Sequence, residues 1–116
     1  MPDIFPERQW SEQYRLAGEA WVKADAQARA LEEGKSVLLA EAVNLMVEDG
    51  MSVAAAERKA KATDQYKKYL RAMVDARTAA NMAKVRAQAA DIQFKEWMSA
   101  DANKRQEMKL AYYGGT

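Results

Sequence analysis

The sequence predicts an all-α chain of four to five helices with a long antiparallel, alanine-rich, coiled-coil-like pair. Three observations predict it. Ala, Glu, Lys, Arg and Leu supply about half of the 116 residues, a composition typical of long helices. Apolar residues recur at alternating spacings of three and four through two long stretches. No alternating run of β-branched residues survives between the glycines that punctuate the chain. The length suits one domain over residues 1–116.

The first helix is expected over 7–33. Trp10, Tyr14, Ala17, Trp21, Ala24, Ala28 and Leu31 follow each other at spacings of 4, 3, 4, 3, 4 and 3. Gly18, beside Ala17, is expected to admit another helix closely, at a cost of about 1 kcal/mol in helix propensity. Pro2 and Pro6 confine extended structure to the first few residues. Gly34 reads as a helix end.

A second helix is expected over 36–49, with Ser36 as N-cap and Gly50 closing it. It is the most apolar segment. A third, short helix over 52–61 is capped by Ser52, and Thr63 can cap the next. The fourth helix, 64–98, carries the longest seam: Tyr66, Tyr69, Met73, Ala76, Ala80, Ala83, Ala87, Ala90, Phe94 and Trp97. Its five central members are alanine, so helix axes can approach to near the lower end of the usual ~8–10 Å. The pattern fails at Asp101 and Lys104. Ser99 or Asp101 is therefore expected to cap a separate last helix over 101–112.

The first and fourth helices are natural partners, within one chain or across two. Trp10, Tyr14 and Trp21 form the interface set with the ten seam residues of the fourth helix. Leu, Val, Ile and Phe number only 7, 7, 2 and 2. So few large side chains stabilising so much helix favour a homo-oligomer.

Composition excludes much chemistry. With no Cys and no His, this chain has no disulfide, thiolate or imidazole metal site, and no Ser-His or Cys-His catalysis. Its glycines form no phosphate-cradling loop. Glu32-Glu33 and Glu48-Asp49 are adjacent acid pairs that read as solvated helix ends. The expectation is a non-enzyme with no cofactor and no metal. No apolar run approaches the ~18–20 residues of a membrane span. A cytoplasmic protein is the default reading.

Charge is uneven. Residues 1–50 hold 5 Lys+Arg against 10 Asp+Glu, and residues 51–116 hold 13 against 7. Such a split marks a polyanion-binding half, or two halves that attract each other within or between chains. The tightest basic block contains Arg58, Lys59, Lys61, Lys67, Lys68 and Arg71. In heptad terms Arg77 and Lys84 take successive e positions, and Arg86 lies at g. Rows of Lys and Arg can follow a phosphate backbone. Tyr66, Tyr69, Tyr112 and Tyr113 could stack on bases of a single strand. The plainer reading makes the charges solubilising and Tyr66 and Tyr69 core. Residues 47–70 also have the flavour of a helix-turn-helix with a second helix beginning near Thr63. An ordinary helical hairpin fits the same residues.

Three runs resemble a known layout: Asp64-Gln65-Tyr66-Lys67-Lys68-Tyr69-Leu70, Asp75-Ala76-Arg77-Thr78-Ala79-Ala80-Asn81 and Phe94-Lys95-Glu96-Trp97. They resemble small helical phage proteins encoded among recombination functions, and in layout the UvsY-type recombination mediators. The resemblance covers residues 52–110. It implies an oligomer that binds single-stranded DNA and helps a recombinase or annealing protein, inside a bacterial host cell. Lys67, Lys68, Arg71, Arg77 and Lys84 would be the DNA contacts. Two alternatives stand beside it. One is a protein-interaction module that inhibits a host defence or host enzyme, through the acidic face of Glu12, Glu19 and Asp25. The other is a structural coiled-coil oligomer.

Overall fold

The computed structural model describes residues 6–114, with side chains described for 8–113. The extended stretch expected at 1–5 lies outside the described residues. Three helices make up the fold: α1 (Pro6–Glu48), α2 (Val53–Ala62) and α3 (Asp64–Gly114). The chain is all-α with coiled-coil-like packing. The expected four to five helices are corrected to three, because two expected breaks are not breaks.

The first missing break is at Gly34. The seam register of α1 continues past Leu31 through Lys35, Leu38 and Ala42, and each of these is half-buried. Packing on that continuous stripe holds the helix together across one poor helix former. Gly34 serves helix contact instead. A Cβ there would lie 2.7 Å from the Tyr69 hydroxyl oxygen. That hydroxyl donates a hydrogen bond to the Leu31 carbonyl at 2.6 Å. Gly18, expected to admit a close neighbour, has nothing within 4 Å of where its Cβ would stand. The close approach belongs to Gly34, not Gly18.

The second missing break is at Ser99 and Asp101. The Asp101 carboxylate holds Arg105 one turn on, at 2.7 Å. Pairs spaced i, i+4 support a helix rather than start one. Asp91 and Lys95 form the same kind of pair at 2.9 Å.

Real ends carry real caps. Gly50 has φ of +96°, a left-handed conformation that glycine adopts without steric cost. Its N–H bonds the Val47 carbonyl at 3.0 Å, and the Met51 N–H bonds Met46 at 3.1 Å. This double closure is a Schellman motif. Ser52 N-caps α2 by accepting from the Ala55 N–H at 3.3 Å.

A single residue, Thr63, separates α2 from α3. Its hydroxyl donates to the Ala60 carbonyl at 2.7 Å and accepts from the Tyr66 N–H at 3.2 Å. One side chain thus caps both helices. A helix-turn-helix joins its helices by a turn of about three to four residues. This one-residue corner is a different construction.

Contacts divide the chain into two compact units, Trp21–Met82 and Met1–Ala20 with Ala83–Thr116. Within Trp21–Met82, α1 and α3 run antiparallel, since Leu31 meets Tyr69 while the earlier Asp25 meets the later Arg77. The α1–α3 pairing is therefore within one chain, and α2 joins the pair. Ala28, Ala56, Ala60 and Ala80 are the buried residues of this unit. In the other unit, Tyr14 of α1 lies with its ring 5.9 Å from Phe94, which stacks on Trp97 at 6.4 Å. Ala83 and Ala87 are buried there. The described core is thus alanine, and the shortage of bulky residues reads as close helix packing.

Candidate functional site

The nine basic residues read as a nucleic-acid face do not form one row. Arg58, Lys59 and Lys61 stand exposed on α2, and Lys67, Lys68 and Arg71 on the first turns of α3. These six hold no ion pair among the described residues. Arg86 is exposed further along α3, in the other unit. Lys84 is exposed there too but is not a free cation.

Arg77 is engaged within the chain. Its Nη1 donates to Asp25 at 2.8 Å and its Nε to Glu32 at 2.7 Å, while Nη2 also bridges the Glu32 carboxylate. The hydrogen bond to Asp25, then that to Glu32, raises the guanidinium pKa further above its already high value. The cause is heptad geometry. An e position flanks the seam, so it faces the partner helix rather than solvent. Asp25 and Glu32 are seven residues apart, each next to a seam residue of α1, Ala24 and Leu31. That pair of acids one heptad apart was the sequence signal for the clamp.

The tyrosines divide likewise. Tyr66 and Tyr69 are half-buried. Tyr69 is held by its bond to Leu31. Tyr66 borders a cavity of about 20 Å³ with Leu38, Ala42 and Ala60, space for roughly one water. Neither ring is presented for stacking on a base. Tyr112 and Tyr113 are 78% and 74% exposed, with ring centroids 5.0 Å apart, edge to face.

The interface set lies along the seams. Trp10, Trp21, Met73, Ala76, Ala90, Phe94 and Trp97 are half-buried, and Ala80, Ala83 and Ala87 are buried. Tyr14 remains 45% exposed although its ring meets Phe94.

Near the N-terminus of α1, Arg15 bridges Glu12 and Glu19. The Arg15 hydrogen bond holds the Glu12 carboxyl below its ordinary pKa. The acidic face offered by Glu12 and Glu19 is therefore partly neutralised, and Asp25 belongs to Arg77 and Arg29.

Sequence reads Met108, Ala111 and Tyr112 as the apolar face of a packed last helix, and the structure leaves that face open. From residue 102 to residue 113 no side chain of α3 is even half-buried. Met108, Leu110, Tyr112 and Tyr113 stand in solvent, with Met98 half-exposed before them. Ala102, Gln106, Lys109, Leu110 and Tyr113 line an open groove along one side of this helix end. The signal was the persistence of large apolar residues after the seam stops.

No group of three or more acidic, His or Cys residues that could hold a metal occurs among the described residues. No described helix is long and apolar enough to cross a membrane. The fold and its surfaces define a class, an all-α helical bundle with coiled-coil-like packing. Comparison with protein-family models, curated proteins and solved structures gives no match. The likeness to recombination mediators draws no support from them.

Proposed function

We propose that the chain is a non-enzymatic protein-interaction module that docks on a partner protein through the end of α3. One observation carries the reading: residues 102–113 keep a helix whose large apolar side chains all face solvent. This stretch continues the 51-residue helix α3 beyond its last half-buried residue, Asp101. Apolar contact gives it a reason to exist, because burying exposed Leu, Met and Tyr supplies binding free energy. Tyrosine suits the role, offering a large apolar body with a polar tip. Helix-in-groove recognition needs such side chains at i, i+3, i+4 and i+7 spacing. Met108, Ala111 and Tyr112 follow it on one face, and Ala102, Leu110 and Tyr113 line the other.

The test is affinity capture with the whole chain. The expected result is one protein retained in stoichiometric amount, lost on Leu110→Glu with Tyr113→Glu and kept on Lys67→Gln with Lys68→Gln. Capture that ignores the α3 substitutions refutes the reading.

Single-stranded DNA binding is the second reading, favoured by the six unpaired cations between Arg58 and Arg71. It requires oligonucleotide affinity that falls steeply as salt rises. Arg77 is not expected to contribute, since its guanidinium is taken.

A further inference from the structure

The methionines of the described residues divide by exposure. Met46, Met51 and Met73 are half-buried. Met82, Met98 and Met108 are 52%, 49% and 61% exposed. Met108 is the most exposed of the six and the only one between residues 102 and 113, the stretch of α3 with no packed side chain. It shares a helix face with Ala111 and Tyr112, three and four residues further on.

This chain has no Cys, so the thioether is its readily oxidised sulfur group. The sulfur lone pair takes one oxygen of hydrogen peroxide, and the O–O bond breaks. The departing hydroxide takes the proton left on the transferred oxygen and leaves as water. Sulfur is oxidised by two electrons and the peroxide is reduced. A flexible apolar side chain becomes a polar sulfoxide, and an enzyme that reduces methionine sulfoxide restores it. Half-buried sulfurs such as that of Met73 in the α3 seam are shielded by their neighbours, whereas the Met108 sulfur is open to the oxidant.

We propose that Met108 is an oxidation site that regulates docking at the α3 end: its sulfoxide releases the partner protein and leaves the fold intact. The inference rests on the docking reading above and adds its control. The two halves of the effect have separate causes. Docking buries the face of Met108, Ala111 and Tyr112, and a sulfoxide oxygen taken out of water there must find a donor or cost binding. The fold is spared because Met108 packs against nothing in the free chain, so its oxidation removes no core contact. Met82 is the internal comparison. It is exposed on α3 as Met108 is, and it lies well outside residues 102–113.

The test treats the whole purified chain with hydrogen peroxide, removes the oxidant, and repeats the affinity capture. Peptide mass spectrometry is expected to find sulfoxide at Met108 before it appears at Met46, Met51 or Met73. Helicity and melting temperature by circular dichroism are expected to hold. Affinity for the captured protein is expected to fall about tenfold or more, and to return after treatment with a methionine sulfoxide reductase. Two variants assign the effect. Met82→Leu with Met98→Leu is expected to lose the partner on oxidation as wild type does. Met108→Leu is expected to show the same affinity after peroxide as before it, whatever that starting affinity is. Full sulfoxide at Met108 with the partner still held overturns the switch and leaves the docking reading standing. So does an equal loss in Met108→Leu. A reduced chain that retains no protein through the α3 end overturns the docking reading, and the switch with it.

Discussion

Gly34→Ala should not stabilise this protein although it replaces the poorer helix former with the best one. In a helix interior the change contributes about 1 kcal/mol in favour of alanine. Against it stands the Tyr69 hydroxyl, 2.7 Å from the new Cβ and hydrogen-bonded to the Leu31 carbonyl. Displacing that hydroxyl loses about 1 kcal/mol of hydrogen bonding. If the hydroxyl stays instead, overpacking strain of about 1–3 kcal/mol takes the place of that loss. The net expectation is no gain, and a loss of up to about 2 kcal/mol. Gly18→Ala is the control. Nothing lies within 4 Å of its Cβ position, so it should stabilise by about 1 kcal/mol. The decisive arm is Tyr69→Phe. With the hydroxyl gone, the nearest ring atom is Cζ at 3.9 Å, an ordinary contact. Gly34→Ala in that background should then stabilise by about 1 kcal/mol. Urea unfolding followed by circular dichroism measures all four chains, read as midpoint shifts at constant m. A Gly34→Ala chain that keeps Tyr69 and gains stability refutes the close approach.

Three further outcomes follow from the same geometry. Arg77→Gln should lower the melting temperature, and adding Asp25→Asn should cost less than it does alone; oligonucleotide affinity that falls while the melting temperature holds would contradict the clamp. Thr63→Ala removes both caps at the α2–α3 corner and should destabilise by about 1–2 kcal/mol in urea unfolding, whereas a neutral result would show that the corner is held otherwise. Ala80→Phe forces a ring into a site that is 1% exposed and should cost about 1–3 kcal/mol or more, with no effect arguing against a tight alanine seam.

Sequence shows the seams well because a repeat of three and four can only lie along one helix face. Every position in that register from Tyr66 to Trp97 is buried or half-buried. It shows helix ends poorly where the deciding partner is distant. Gly34 looks like a stop when read with its neighbours, and only Tyr69, far along the chain, explains it. Asp101 looks like a cap until Arg105 is seen to hold its carboxylate. By contrast, Gly50 and Ser52 act through local hydrogen bonds, and local residues suffice to read them. Arg77 was legible as a charge but not as a paired one, because its acids sit on the other helix. The α3 end was hidden by its own composition. Met108, Ala111 and Tyr112 look like the apolar face of a packed helix, and only the structure leaves them in solvent.

Hydrogen exchange on the whole chain, free and bound to the protein captured through it, tests the account most directly. Amides of residues 102–113 should exchange rapidly in the free chain, since no side chain there is packed, and become strongly protected in the complex. Protection that appears only around Lys67, Lys68 and Arg71, with the α3 end unchanged, would contradict it.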